Sequence, residues 1–235
     1  MSSSDDSDQD DQYDFSNELK SIRKSIDWEV EKERRLLFDR FRFLIRQWKG
    51  QLPNLRDIFR AEEIDWILSE SVKSVGHFNC KKELTPLVQF VVKCGYKDKP
   101  QADEDGKPSP RRTTPIHHAA RRQYYYWYDN ISNLFKIYAR FDVNYTDEEG
   151  FTHFHVACKY DCDDVVKKFL KLGQDPNLVA PKKGDSPLHL ALVTGSMKVV
   201  KLLLKRGANP NLKNKNGETP LHIRLEHILI ALELL

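Results

Sequence analysis

The amino-acid sequence predicts an all-α-dominated repeat solenoid, built of helix–turn–helix repeats with β-turn fingers and preceded by an α-helical N-terminal region. Residues 152–178 align without a gap on residues 186–212, and eleven of these 27 positions are identical. Self-similarity at a fixed period of this length is typical of stacked repeat units. Before the repeats, residues 19–49 place apolar side chains at helical spacing with basic residues between them, which predicts an amphipathic helix.

The later of the two aligned segments predicts a pair of helices joined by a tight turn. Ser186 can cap a helix N-terminus, and Pro187 can take the first helical position, where its missing N–H costs nothing. Gly195 breaks this short inner helix, and the apolar spacing over residues 197–204 then predicts an outer helix. Gly207 is suited to end the outer helix in a left-handed conformation.

Two further segments begin in the same way, TTPIHHAARR at 113–122 and GETPLHIRL at 217–225. The shared pattern, G-x-T-P-L-H-x-A followed by V-V-x-x-L-L-x-x-G-A-N-P-N, resembles the ankyrin repeat. The resemblance implies a β-turn, here called a finger, and two antiparallel helices in each unit. The units stack into a solenoid that offers a concave binding surface. The predicted array covers residues 83–235, with a degenerate half-repeat at 83–109, repeats at about 110–146, 147–180 and 181–213, and a partial repeat at 214–235.

The N-terminal part of the chain divides into an acidic tail and a helical region. Residues 1–18 carry seven acidic and no basic residues, so the rest of the chain carries a net charge of +10. A segment of this composition buries too little apolar surface to fold, and we expect it to be disordered. Residues 19–82 are predicted to be helical: one helix over 19–49 caps the first repeat, and 52–72 form one or two short helices.

The stretch THFHVACKYDC, residues 152–162, holds two histidines and two cysteines, which are residue types that bind zinc. The repeat alignment gives another reason for their presence. Cys158 aligns with Leu192 at a core position, and Cys162 falls in the turn between two helices. His155 aligns with His117, His189 and His222, and the resemblance to ankyrin repeats implies that this histidine ties neighbouring turns together by hydrogen bonds. We therefore predict structural roles for these residues and no metal site.

The sequence shows no pattern of catalytic or cofactor-binding residues. It contains no phosphate-binding loop, no G-x-S-x-G elbow and no HExxH motif, so we expect no enzyme activity and no cofactor. No apolar run reaches the length of a membrane span, and the acidic N-terminus is unlike a signal peptide. The four scattered cysteines favour a reducing compartment, and hence the cytoplasm and/or the nucleus.

Two sets of residues are candidates for partner binding. The repeat pattern exposes the first set on the inner helices and finger tips: Arg121, Arg122, Lys159, Tyr160, Lys182 and Lys183. The second set is an aromatic insertion between an inner and an outer helix: Tyr124, Tyr125, Tyr126, Trp127 and Tyr128. Tyrosine and tryptophan suit an interface, although the same side chains can instead pack against the N-terminal helices.

Two more irregularities interrupt the repeat. The segment KPSPRR, residues 107–112, lengthens one finger by six residues, and we interpret it as a tolerated surface loop. At the C-terminal edge no glycine corresponds to Gly195, and the apolar residues of IRLEHILIALELL cannot all lie on one narrow face. We expect this edge to be either that of a truncated array or a surface through which the chain associates with itself.

The sequence therefore predicts a non-catalytic scaffold or adaptor that binds another protein. Within this class, a substrate-recognition arm of a ubiquitin ligase and an inhibitor of transcription-factor dimers are alternatives. Nucleic-acid binding through the basic body of the chain is less favoured, because its basic residues are interleaved with acidic ones and no nucleic-acid-binding motif is found.

Overall fold

A computed structural model of the chain describes residues 14–74, 85–100, 102, 106–121 and 128–233. These residues fall into two compact units, which are divided in the sequence between Phe59 and Arg60. The first unit contains α1 (Phe15–Lys24), α2 (Glu31–Gln47) and a 3₁₀ turn (Leu55–Asp57). The second contains α3 (Ala61–Lys73), α4 (Thr85–Lys93), α5 (Pro115–Arg121), α6 (Tyr128–Ile137), α7 (His153–Lys159), α8 (Asp163–Lys171), α9 (Pro187–Thr194), α10 (Met197–Lys205) and α11 (Pro220–Glu233).

The predicted all-α repeat fold is confirmed. Over the described residues the backbone forms helices and turns, and β-type pairing is limited to isolated bridges in the fingers, such as the one between Arg111 and Thr146. None of the helices in these ranges is both long enough and apolar enough to cross a membrane.

The prediction of a single helix over residues 19–49 is wrong, because the chain turns between α1 and α2. The Ser25 hydroxyl donates to the carbonyl of Ile22 at 2.9 Å, at the point where α1 ends. The Asp27 carboxylate then accepts the N–H of Glu29 at 2.9 Å, and the Asp27 N–H donates to the Glu33 carboxylate. Side chains that bond the nearby backbone in this way compete with the hydrogen bonds of a helix.

Helix α1 begins at Phe15, inside the segment that we expected to be disordered. The Asp14 carboxylate accepts the N–H of Asn17 at 3.0 Å and caps the helix. The Phe15 ring lies 5.4 Å from the ring of Trp48, which gives the first turn of the helix a packing partner. The expectation of disorder is overturned for the residues of this turn, and residues 1–13 lie outside the described residues.

The second unit is a stack of helix pairs. Helices α3, α5, α7, α9 and α11 pack in this order, each against the next, and they are the inner helices. The outer helices pair with them, α4 with α3, α6 with α5, α8 with α7 and α10 with α9. Helix α3, which we assigned to the N-terminal helical region, thus packs against α5 as an inner helix.

The local signals of the repeat act as predicted. Helix α9 begins at Pro187, and the Ser186 side chain accepts the N–H of His189 at the helix N-terminus. Gly195 ends α9 with a φ of 74°, in the left-handed region. In the preceding unit this position is held by Asp161 at a φ of 51°, since aspartate tolerates left-handed geometry better than most residues.

The fingers of successive units lie directly against each other. A β-carbon on Gly150 would lie 2.5 Å from a side-chain carbon of Pro181 in the next finger. One on Gly184 would lie 3.0 Å from the backbone nitrogen of Lys215, which donates to the Lys183 carbonyl at 2.9 Å. Both glycines also have positive φ, so any other residue would strain the finger and push the next one away.

The last helix differs from the inner helices before it. Helix α11 has 14 residues, against eight in α9 and seven in α7. Leu221 and Leu229 on α11 are 62% and 59% exposed, whereas Leu188, at the position of Leu221 in the preceding unit, is 2% exposed. The apolar edge predicted from the sequence is therefore present on α11.

Deleting residues 1–13 should leave the melting temperature nearly unchanged, whereas deleting residues 1–18 should lower it. The longer deletion removes the Asp14 cap and the Phe15 ring, and loss of a helix cap alone costs about 1 kcal/mol. Thermal melts followed by circular dichroism, with the full chain beside both deletions, measure the difference. Equal melting temperatures for all three proteins would contradict the role given to the first turn of α1.

Candidate functional site

A serine or threonine and the histidine three residues later form the same hydrogen-bonded pair in four units. The Nδ1 atom of the histidine accepts the backbone N–H of the serine or threonine: 3.1 Å for Thr114 and His117, 3.1 Å for Thr152 and His155, 3.0 Å for Ser186 and His189, and 3.3 Å for Thr219 and His222. A neutral ring with Nδ1 as acceptor carries its proton on Nε2. This proton is donated to the Leu178 carbonyl at 2.8 Å by His155, and to the Glu218 carbonyl at 2.9 Å by His189.

For His189 these bonds confirm the role that the family resemblance implied, because its ring is tied to its own turn through Nδ1 and to the next unit through Nε2. The Nε2 of His155 instead binds Leu178, at the end of its own unit. Burial lowers the pKa of His155, so the neutral form that makes both bonds is the favoured one.

The histidines and cysteines of residues 152–162 do not converge as ligands. Cys158 is buried in the core, and burial raises the pKa of its thiol. The Cys162 thiol donates to the carbonyl of Tyr160 at 3.4 Å, and burial raises its pKa to about 12. Such thiols are poor nucleophiles and poor metal ligands. Across the described ranges, no three His, Cys, Asp or Glu side chains lie close enough together to hold a metal ion.

A groove with a volume of about 900 Å³ lies between the fingers and the inner helices α5, α7, α9 and α11. Its apolar lining comes from Ala120, Phe151, Ala180, Pro181, Leu190, Val193 and Ile223. The remaining lining is polar or charged, and the charges are not evenly distributed along the groove.

Two of the lining carboxylates are paired with basic side chains, one from helix α5 and one from the next finger. The Asp147 carboxylate receives the Arg121 guanidinium at 2.9 Å, and it accepts the backbone N–H groups of Glu149 at 3.0 Å and Phe151 at 2.9 Å. The Glu149 carboxylate lies 3.4 Å from the Lys182 ammonium. The Asp147 pair is fixed because the carboxylate is almost fully buried, whereas the exposed pair between Glu149 and Lys182 contributes little stability.

The acidic end of the groove surrounds Asn214. Its amide donates to the Asp185 carboxylate and to the Glu218 carboxylate, each at 2.9 Å. The hydrogen bond from Asn214 lowers the pKa of Glu218. Glu226 on α11 adds a further negative charge to this lining.

The basic end of the groove is built around Lys159 and Tyr160 at the C-terminus of α7. The Lys159 ammonium lies 3.4 Å from the Ala120 carbonyl oxygen, and the Tyr160 hydroxyl donates to the same oxygen at 3.2 Å. The Lys159 nitrogen also lies 5.4 Å from the centre of the Tyr160 ring. Burial, and then the charge of Lys183, lower the pKa of Lys159.

Five of the predicted partner-binding residues line this one groove: Arg121, Lys159, Tyr160, Lys182 and Lys183. The repeat alignment selected them from three different units, and the stacking of those units brings them together. Arg122 and the aromatic residues 124–127 lie outside the described residues, and Tyr128 is the first residue of α6. A role of any of these residues in binding stays a prediction.

The sequence analysis missed Arg112, the last residue of the insertion that we interpreted as a tolerated surface loop. That interpretation is wrong for this residue, whose side chain is 17% exposed. Its guanidinium binds the carboxylates of Asp65 and Asp98, the latter at 2.8 Å, and lies 5.2 Å from the centre of the Tyr145 ring. The hydroxyls of Tyr138 and Tyr145 donate to the same two carboxylates. The partners lie up to 47 positions away in the sequence, so no local pattern signals them.

His153 occupies the position that proline holds in the other units. Its N–H donates to the Tyr145 carbonyl at 2.9 Å, and its Nε2 shares a hydrogen bond with the Thr114 hydroxyl at 2.7 Å. The ring is buried, and burial lowers its pKa. Proline has neither an N–H nor a ring nitrogen, so it could not make either bond.

The chain is similar to ankyrin repeat proteins and to two curated relatives. A family model for ankyrin repeats, in three copies, matches residues 76–180 and 162–235, more than half of the chain. A Homo sapiens protein named SMC5-SMC6 complex localization factor protein 1 is 29% identical over 172 residues, which are 72% of this chain and 15% of that protein. The Bos taurus protein of the same name is 28% identical over 181 residues, 75% of this chain and 16% of its own length. The chain thus spans less than a fifth of the length of these curated relatives.

Replacing His153 with proline should destabilise the protein, even though proline holds this position in the other units. The change removes the bonds to the Tyr145 carbonyl and the Thr114 hydroxyl, which together contribute about 2 kcal/mol or more. Urea denaturation measures the free energy of unfolding, and Pro187→Ala, at the same helix position of the next unit, is a control with an expected loss below about 1 kcal/mol. A His153→Pro protein as stable as the unmodified chain would show that these bonds contribute nothing.

Proposed function

Since the chain belongs to the ankyrin repeat family, we propose that it is a non-catalytic scaffold or adaptor that binds a partner protein through the groove. The observation that carries the proposal is the convergence of four successive inner helices on one surface. Arg121 of α5, Lys159 of α7, Val193 of α9 and Ile223 of α11 all line the groove. A solenoid builds an extended surface of this kind by stacking its units, and its combination of apolar lining and charged rim suits a polypeptide.

The state of the reactive side chains supports a role without catalysis. Both ring nitrogens of His155 and His189 are used in structural hydrogen bonds. The thiols of Cys158 and Cys162 have raised pKa values because they are buried. These side chains are therefore poorly suited to act as a base or a nucleophile.

The name shared by the two relatives directs the choice of a first partner. Both are localization factors of an SMC5-SMC6 complex, and we propose that a protein of that complex binds the groove of this chain. A substrate-recognition arm of a ubiquitin ligase and an inhibitor of transcription-factor dimers stay as alternatives, and no feature of the groove favours either. The cytoplasm and/or the nucleus is the proposed location, which imaging of a fluorescently tagged chain tests.

Affinity capture with the full chain as bait tests the proposed adaptor role. SMC5-SMC6 subunits should be recovered by the unmodified chain, and Val193→Arg should lower their recovery at least about tenfold, since a bulky charge at the centre of a contact surface removes its energetically important core. Leu204→Arg is the matched control, because Leu204 is a half-exposed aliphatic side chain on the outer helix α10. Quantitative mass spectrometry of the captured proteins is the measurement. Equal recovery by both variants and the unmodified chain would remove the groove from the interaction.

The exposed face of α11 supports a second proposal, that the chain associates with a second copy of itself. Leu221, Leu225, Ile228 and Leu229 are exposed and follow one another at helical spacing along this helix. The same face of α9 is covered by α11, as the burial of Leu188 shows. The α11 of a second copy presents the same stripe, so a two-fold contact can bury both. Each buried leucine contributes about 1.5–3 kcal/mol.

Light scattering coupled to size-exclusion chromatography should show a mass that rises toward that of a dimer as the protein concentration increases. The double change Leu221→Lys and Leu229→Lys should restore the monomer, because it places charge in the apolar contact. Leu204→Lys on α10 keeps the same charge change away from this face and should leave the association unaltered. A chain that stays monomeric at high micromolar concentration would contradict self-association through α11.

A further inference from the structure

We propose that the basic end of the groove, around Lys159 and Lys183, binds an acidic, extended segment of the partner protein through its carboxylates. The proposal rests on the proposed function of the groove and adds to it the chemistry of the partner. Some charged side chains of the groove already form ion pairs within the chain. The proposal follows from the position of Lys159, which binds a carbonyl oxygen instead of a carboxylate.

Lys159 is held in a way that leaves its charge poorly compensated. Its ammonium has three donor protons, and its hydrogen bond in the described structure goes to the Ala120 carbonyl at 3.4 Å. The Tyr160 hydroxyl donates to that same oxygen at the shorter distance of 3.2 Å. No carboxylate of the described residues lies within 4.0 Å of the Lys159 ammonium.

The charged side chains near Lys159 do not compensate its positive charge. Lys183, in the adjacent finger, lies close enough for its charge to disfavour a second positive charge on Lys159. The two carboxylates on this side of the groove are engaged elsewhere, Asp147 with Arg121 and Glu149 with Lys182. A carboxylate of the partner near these lysines would offset both the burial of Lys159 and its repulsion by Lys183, because a nearby negative charge favours the charged form of each lysine.

The acidic lining next to α11 gives the bound segment a direction. Asp185 and Glu218 are held around Asn214, and Glu226 lies on α11 in the same lining. Carboxylates of a partner would be repelled there. The acidic residues of the segment therefore lie over α7, and its other end, toward α11, is neutral or basic.

Fluorescence anisotropy with a labelled peptide of alternating glutamate and serine, added to the full chain, tests the assignment. We expect this peptide to bind, and to bind more tightly than a peptide of alternating lysine and serine. Lys159→Met keeps the length of the side chain and removes its charge, and it should weaken binding about tenfold or more, which is the effect of losing a charged hydrogen bond. Lys183→Met, at an exposed position where the fold is not at risk, should weaken binding in the same direction.

Lys201→Met is the matched control, since Lys201 is exposed on the outer helix α10 and its loss changes the net charge equally. The assignment is overturned if the glutamate peptide does not bind, if the lysine peptide binds more tightly, or if Lys201→Met weakens binding as much as Lys159→Met. A phosphoserine peptide that binds where the glutamate peptide does not would assign the site to phosphate and overturn the carboxylate. These outcomes differ from failure of the proposed function, in which Val193→Arg captures the partner as well as the unmodified chain.

Discussion

The hydrogen bonds of two buried histidines, His155 and His189, tie the chain on the finger side of the array to the helices behind it. In His189, Nδ1 accepts the N–H of Ser186 in its own unit, and Nε2 donates to the carbonyl of Glu218 in the next finger. In His155, Nδ1 accepts the N–H of Thr152 in the same way, and Nε2 donates to the carbonyl of Leu178, just before the next finger. The walls of the groove are these fingers and inner helices, so the distance between its walls depends on rings that carry no charge. A protonated ring could not accept at Nδ1, and burial opposes protonation of His155.

Toward the N-terminal side of the array, other side chains connect neighbouring units. The Nε2 atom of His117 has no hydrogen-bond partner among the described residues. The bond between Thr114 and His153 joins the same two units instead, and the rings of His117 and His153 lie 4.8 Å apart. Next to them, the Arg112 guanidinium contacts the carboxylates of Asp65 and Asp98 and the rings of Tyr138 and Tyr145. A buried ion pair of this kind needs further hydrogen bonds to its remaining polar atoms, and the hydroxyls of Tyr138 and Tyr145 bind the remaining carboxylate oxygens of Asp65 and Asp98.

The repeated units were predictable from the sequence because their signals are local. Ser186, Pro187 and Gly195 each act on the backbone within a few residues, and they begin and end α9 as the pattern indicates. The repeat register also predicts Lys159 and Lys183 on one surface, and both line the groove. Two features could not be predicted from local sequence patterns. The break after Ser25 depends on side-chain bonds that compete with an otherwise good helical pattern, and the role of Arg112 depends on carboxylates distant in the sequence.

The cluster of Arg112 with Asp65, Asp98, Tyr138 and Tyr145 also affects how the array unfolds. In a solenoid whose units touch only their neighbours, opening can start at either end and proceed one unit at a time. Asp65 on α3, Asp98 after α4 and Tyr145 after α6 all contact the same guanidinium, so the pair α3 and α4 cannot separate from the pair α5 and α6 without leaving that buried charge without its carboxylates. Amide protons in this block are therefore expected to share one high-energy opening. These two helix pairs would open as one block, whereas the units of a plain solenoid open one at a time.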